Sequence, residues 1–169
     1  YVEYKVTTLM AGPIFLDRAG VELYQRNRDP YLMIDEAEEV VPGVRAKGYK
    51  NLIENLWFFQ VHWPGDPNMP GMLQVEALVQ LAALTVLTLP GNAGKLVYLL
   101  SADRIKLTKK VTPGGRLDLT TTLLRWKRGI GNCRGEGFVQ GDRACQAEFT
   151  IMMPSVVSQY RVVTPVQDN

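Results

Sequence analysis

Histidine is almost missing from this 169-residue chain: His62 is the only one. Cysteine is nearly as scarce, with Cys133 and Cys145 alone. One imidazole and two distant thiols cannot supply the usual zinc ligand set, so neither a metal nor any other cofactor is expected. Two cysteines do not make a disulfide scaffold either. A hairpin turning at Gly141-Asp142 would set Cys133 opposite Thr150 and Cys145 opposite Phe138. The sulfurs would then lie about 16 Å apart along the ribbon, beyond disulfide reach. Free thiols and a reducing, cytoplasmic compartment are the expectation.

A surplus of one charge is also lacking. The net charge is +2, which gives the whole molecule no general affinity for nucleic acid. Residues 1–20 contain no uninterrupted apolar run closing on a cleavage-like site, so no secretory signal is expected. Residues 70–89 could span about 30 Å as a helix. Gln74, Glu76, Gln80, Thr85 and Thr88 interrupt them, and a carboxylate in mid-membrane is costly. A helix enclosed in a soluble domain fits that stretch better.

The hydrophobic content of 46% is enough for a real core, and the length predicts one domain. No repeat or low-complexity segment is visible. The apolar spacing of "IFLDRAGVELYQ", residues 14–25, predicts a short amphipathic helix. Residues 33–52 read as two strands around a turn at Pro42-Gly43. The aromatic loop "NLWFFQVHWPGDPNMPG" should be ordered, because Trp57, Phe58, Phe59 and Trp63 need somewhere to bury. Pro70 suits the opening of a helix, which should run to Leu89 and stop before Pro90-Gly91. Strand-like runs follow at 95–107, 114–128, 133–140 and 143–153, punctuated by Pro-Gly and Gly turns. The tail after Pro154 has no clear assignment. One antiparallel sheet wrapped around one buried helix accommodates this order, an α+β architecture. A single layer of that size leaves surface to hide, which favours a dimer.

Within the apolar helix, Glu76 is the only charged residue between Asp66 and Lys95. Burying a carboxylate raises its pKa towards neutrality, where it can act as a general acid. His62 lies fourteen residues upstream, and an imidazole can serve as the matching base. Gly71 falls in the first helical turn, whose amides lack intrahelical acceptors and where the dipole favours an oxyanion. Gln80 is one turn beyond Glu76 and can hydrogen-bond to it. Periodicity alone favours the blander readings, a surface or packing histidine and a structurally paired glutamate.

The stretch "HWPGDPNMPGMLQVEALVQ" resembles the signature of FabZ-type β-hydroxyacyl-[acyl carrier protein] dehydratases. That signature is a His-aromatic-Pro-Gly turn, then Pro-X-X-Pro-Gly, then a helix bearing Gln-X-Glu-Ala. "RDPYLMIDEAEEVVPG", "ADRIKLTKKVTPGGRLDL" and "RGIGNCRGEGFVQGDRACQAEF" continue the likeness in order, over about residues 14–153. The resemblance implies a single hotdog domain, with the long helix as the sausage and the sheet as the bun. It implies that His62 takes the α-proton of a 3-hydroxyacyl thioester, that Glu76 helps the β-hydroxyl leave as water, and that the Gly71 amide holds the thioester oxygen. It also implies a homodimer, or a trimer of such dimers, with His62 of one chain facing Glu76 of another. Tyr98 falls near a tunnel-gating aromatic. Val61 stands where the family carries glycine: it would either strain a backbone conformation that needs glycine or narrow the cavity beside His62. Trp63 replaces the commoner Phe, and Glu76 rather than Asp makes double-bond isomerisation less expected.

Between Asp103 and Arg134 nine basic residues face two acidic ones. This local surplus fits docking of an acidic acyl carrier protein, through Arg104, Lys106, Lys109, Arg125 and Lys127, as well as it fits a solvated face. The biosynthetic setting would be fatty-acid or polyketide synthesis. A hotdog thioesterase and a non-catalytic acyl-binding protein are the competing readings.

Overall fold

The computed structural model describes residues 12–160. A short strand β1 (Ile14–Leu16) leads into helix α1 (Arg18–Tyr24), strands β2 (Glu36–Val41) and β3 (Arg45–Asn51), and a brief helix α2 (Trp57–Val61). The long helix α3 (Gly71–Leu87) comes next, then strands β4 (Tyr98–Leu107), β5 (Arg116–Lys127), β6 (Ile130–Val139) and β7 (Asp142–Met152). A turn of helix, α4 (Pro154–Val157), and a 3-10 turn at Ser158–Tyr160 close the described chain. All strands join one antiparallel sheet in the order β1-β2-β3-β5-β6-β7-β4.

Helix α3 lies in the concave face, as its sequence demands. It is apolar nearly all round, so no face of it can be left to water, and it is buried from Gln74 onward save for Glu76. Leu78, Leu81 and Leu84 are fully covered, each contributing about 1.5–3 kcal/mol by burial. The sheet makes room with glycine. A Cβ on Gly135 would come within 3.1 Å of the Leu78 side chain, and one on Gly48 would strike the Glu36 carbonyl. One polar group that α3 buries is satisfied locally: Thr85 Oγ1 donates to Ala82 O at 2.7 Å. Among the described residues no helix is long and apolar enough to cross a membrane.

Three local expectations are corrected. Residues 14–25 do not form one helix: Ile14 and Leu16 pair with Val40 and Ala37 as a sheet edge. Asp17 then accepts from the Gly20 amide at 2.8 Å, so the helix begins only after it. Pro70 is not the first helical residue but the cap before Gly71. The β6–β7 turn sits at Gln140-Gly141, both with positive φ (52° and 83°), as a tight hairpin of this hand requires. That moves the register by one residue, so Cys133 faces Phe149 and Cys145 faces Gly137. Both thiols are buried and unbridged. Burial pushes Cys133 up to about 12. It pushes Cys145 up to about 11, against a hydrogen bond from the Gly137 backbone.

Candidate active site

His62 caps the end of α2, its amide donating to Phe58 O at 3.0 Å. Phe58 and Phe59 are buried and pack edge to face at 4.6 Å, anchoring this short helix to the core. Trp57 and Trp63, expected to bury with them, remain exposed; the Trp57 indole donates to Pro30 O at 3.0 Å. His62 Nδ1 lies 3.1 Å from Asn68 O. A carbonyl only accepts, so Nδ1 carries the hydrogen and Nε2 keeps its lone pair. The loop that makes this contact is itself strapped down. Asn68 Nδ2 donates to Asp66 O at 3.0 Å, Lys110 Nζ holds both Asp66 oxygens, and the Met69 amide donates to Val111 O at 2.8 Å.

Glu76 is half-buried on α3. Gln80 Nε2 donates to its Oε1 at 2.8 Å and to Tyr31 O at 2.9 Å, while Gln80 Oε1 accepts from the Met33 amide at 2.8 Å. Both N–H donors of the Gln80 carboxamide are thus committed and its oxygen accepts, which fixes its nitrogen towards Glu76. Burial raises the Glu76 pKa above the ordinary carboxyl value, and the Gln80 hydrogen bond partly opposes that. Because Oε1 already accepts, the proton of the neutral acid belongs on Oε2. Gly71 opens α3, and its amide has no acceptor within the helix. The Leu107 side chain lies so close that any Cβ at Gly71 would collide with it.

A groove of about 340 Å³ runs beside Glu76. Val79, Gln80, Ala83 and Leu87 of α3 form one wall, Lys95 to Leu99 a second, and Gln25 to Asn27 a third. Tyr98 lines it, half exposed, at the start of β4. His62 does not line it. Within one chain, Glu76, Gln80 and Tyr98 therefore share a groove, while His62 stands apart from it. Val61 is in ordinary helix in α2 and 64% exposed; it lines no part of this groove.

The basic residues divide. Arg104, in a left-handed conformation at an irregularity of β4 (φ 50°), donates to Glu148 at 2.7 Å, as does Arg134. Lys109 holds Asp142 at 2.7 Å. Lys106, Arg125 and Lys127 are exposed and have no carboxylate partner among the described residues. Two site residues escaped sequence reasoning. Asn68 acts through its backbone carbonyl, which leaves no side-chain signal. Gln25 donates to Gln80 O at 2.8 Å, but its own oxygen is buried without a donor; its signal was a polar residue ending an apolar helical stripe.

A FabA-like domain model matches residues 26–148. The chain is 41% identical over 127 residues to a 3-hydroxyacyl-[acyl-carrier-protein] dehydratase FabZ of Natranaerobius thermophilus, covering 75% of this chain and 89% of that protein. It is 38% identical over 138 residues to the FabZ of Bacillus subtilis, covering 82% and 98%. Among solved structures, the dehydratase heterocomplex ApeI:P from Xenorhabdus doucetiae superposes with a TM-score of 0.70 at 18% identity, covering 82% of this chain and 95% of that one. A hypothetical thioesterase with coenzyme A from Streptococcus pneumoniae gives 0.54 at 15%, over 69% and 83%. At such identities these structures speak for the fold alone, a sheet wrapped around one helix.

Proposed function

The chain belongs to the FabA-like family, and on that premise we propose that it removes water from 3-hydroxyacyl thioesters carried on an acyl carrier protein, giving trans-2-enoyl thioesters for fatty-acid synthesis. A polyketide-type substrate fits the same chemistry. The whole described chain acts as one hotdog domain, with a core over about residues 14–153.

One observation carries the quaternary part of this reading. Among the described residues the groove at Glu76 holds no histidine, and the sheet edge beside it is bare: β4 has β7 on one side and no strand on the other. Its Tyr98, Leu99, Leu100 and Leu107 are exposed, as are Val61, Trp63 and Met72 around the start of α3. An unpaired apolar edge is a ready pairing surface, and a two-fold dimer would pair it with itself. In that dimer His62 of one protomer serves Glu76 of its partner.

The chemistry follows from the hydrogen bonds. Nε2 of His62 takes the α-proton, while Nδ1–H on Asn68 O steadies the resulting imidazolium. Negative charge gathers on the thioester oxygen, held by the Gly71 amide at the positive end of α3. Glu76 gives its Oε2 proton to the β-hydroxyl, the carbon–oxygen bond breaks, and water departs. The imidazolium proton then returns through solvent to the Glu76 carboxylate. Burial of Glu76 keeps the carboxyl protonated to higher pH than usual, as a general acid needs. Lys106, Arg125 and Lys127 are the readier part of the carrier-docking surface, since Arg104 and Lys109 already hold Glu148 and Asp142.

Mixing variants tests this directly. His62→Ala and Glu76→Gln should each lower enoyl formation at least ~10³-fold. If the two groups come from different protomers, co-refolding the two variants restores about a quarter of the sites, because half the dimers are mixed and each has one intact pair. No recovery would place both groups in one chain, and full activity in either single variant would reject the mechanism.

A further inference from the structure

Away from Glu76 the groove carries charge of one sign. Arg26 and Lys95 both line it. Several cations elsewhere are matched: Arg18 and Lys50 share Asp35, Arg45 holds Glu39, Arg104 and Arg134 share Glu148, Lys110 holds Asp66 and Arg143 holds Glu136. Neither Arg26 nor Lys95 has a carboxylate partner among the described residues. The Lys95 ammonium is steered by Asn92 Oδ1 at 3.1 Å, which leaves it further N–H donors. Asn27 completes a wall able to donate. From Glu76 to Leu87, beside which this wall stands, α3 advances about 16 Å.

Filling the groove displaces water from the sides of Arg26 and Lys95 that line it. A hydrocarbon chain alone would strip them of solvent and return no acceptor, which is costly. A ligand with anionic oxygens facing Arg26 and Lys95 would instead gain charge-assisted hydrogen bonds. We infer that Arg26 and Lys95 form an anion subsite of the acyl-thioester groove, reading a negatively charged oxygen group on the substrate remote from the carbon that loses its proton. Two parts of a carrier-bound thioester could bring that group: a phosphate on the pantetheine arm, or a carboxylate at the far end of the acyl chain. The inference rests on the groove being the thioester site, as proposed above.

The test uses unreactive acyl-pantetheine amides of one chain length in four forms, with or without the arm phosphate and ending in methyl or carboxylate. Each is titrated at low salt into the wild type, Arg26→Gln/Lys95→Gln and the charge-conserving Arg26→Lys/Lys95→Arg. At least one anionic form should bind the wild type about tenfold or more tighter than the uncharged form. Gln/Gln should lose that advantage and Lys/Arg should regain it. The form that carries the gain, phosphate or carboxylate, identifies the source. Equal binding of all four forms to the wild type, or an advantage that survives in the Gln/Gln variant, overturns the subsite. Turnover of 3-hydroxyacyl substrates by the wild type is followed separately. Its absence would sink the dehydratase reading, while the amide titration still reports on the anion subsite.

Discussion

Strands β4 and β6 have the same length and lie in the same sheet, with opposite surroundings. β6, "IGNCRGEGFV", is poor in large apolar side chains, yet alternate residues along it are buried. β4, "YLLSADRIKL", holds Tyr98, two leucines in succession, Ile105 and Leu107, yet none of its residues is buried. Neighbours explain the difference. β6 pairs on both sides and faces α3, where small residues are required because Leu78 presses on Gly135. Among the described residues β4 pairs on one side only, and its apolar side chains stay exposed. Sequence hydrophobicity therefore marks surface to be covered, and in the dimer proposed above a second copy covers β4.

The largest effect should come from breaking β4. Leu99→Glu/Leu100→Glu places charge on the bare edge, where it opposes pairing. Enoyl formation should fall at least ~10³-fold, with the protein sedimenting as a single protomer and its far-UV circular dichroism unchanged. A dimeric, active variant would remove β4 from the interface. The matching break in β6 should act on stability instead. Gly135→Val drives a branched side chain against Leu78 and should cost about 1–3 kcal/mol in urea unfolding, whereas Leu100→Val should cost little in the folded protomer.

A finer test lies in the groove between α3 and β4. Folding raises the Glu76 pKa above 4.5, so the folded state holds this proton more tightly than the unfolded one. Its contribution is fully present below the unfolded carboxyl value and is lost as pH rises through the folded value. Glu76→Gln, which keeps an acceptor for Gln80, should be more stable than wild type near pH 8, a difference that fades below about pH 4. Thermal unfolding across that range checks the sign. The smallest effect belongs to the thiols of β6 and β7. Cys133 and Cys145, pushed up to about 12 and 11, should stay silent to a thiolate-selective reagent until the protein unfolds, with no loss of activity on exposure.

Much of this was legible in the chain. The Pro-Gly loop, the apolar helix with its one carboxylate, and Gln80 a turn beyond were read from spacing, because helical period alone brings residues four apart together. The 14–25 segment misled because three residues pairing on an edge strand are too few to leave a period-two pattern. The β6–β7 register slipped because Gln140, not Asp142, takes the second positive φ beside Gly141. Asn68 contributes only a carbonyl, and every residue has one.

The order of residues by itself determined that a carboxyl group would sit in a greasy helix, that an imidazole would come from the loop before it, and that a glycine amide would open that helix, since these are local consequences of spacing and burial. Only the tertiary structure decided which groups meet. Sheet order leaves β4 bare, lines the Glu76 groove with Tyr98, Arg26 and Lys95, and keeps His62 out of it. Strand neighbours are set by closing the sheet around α3, a long-range constraint that local spacing cannot express.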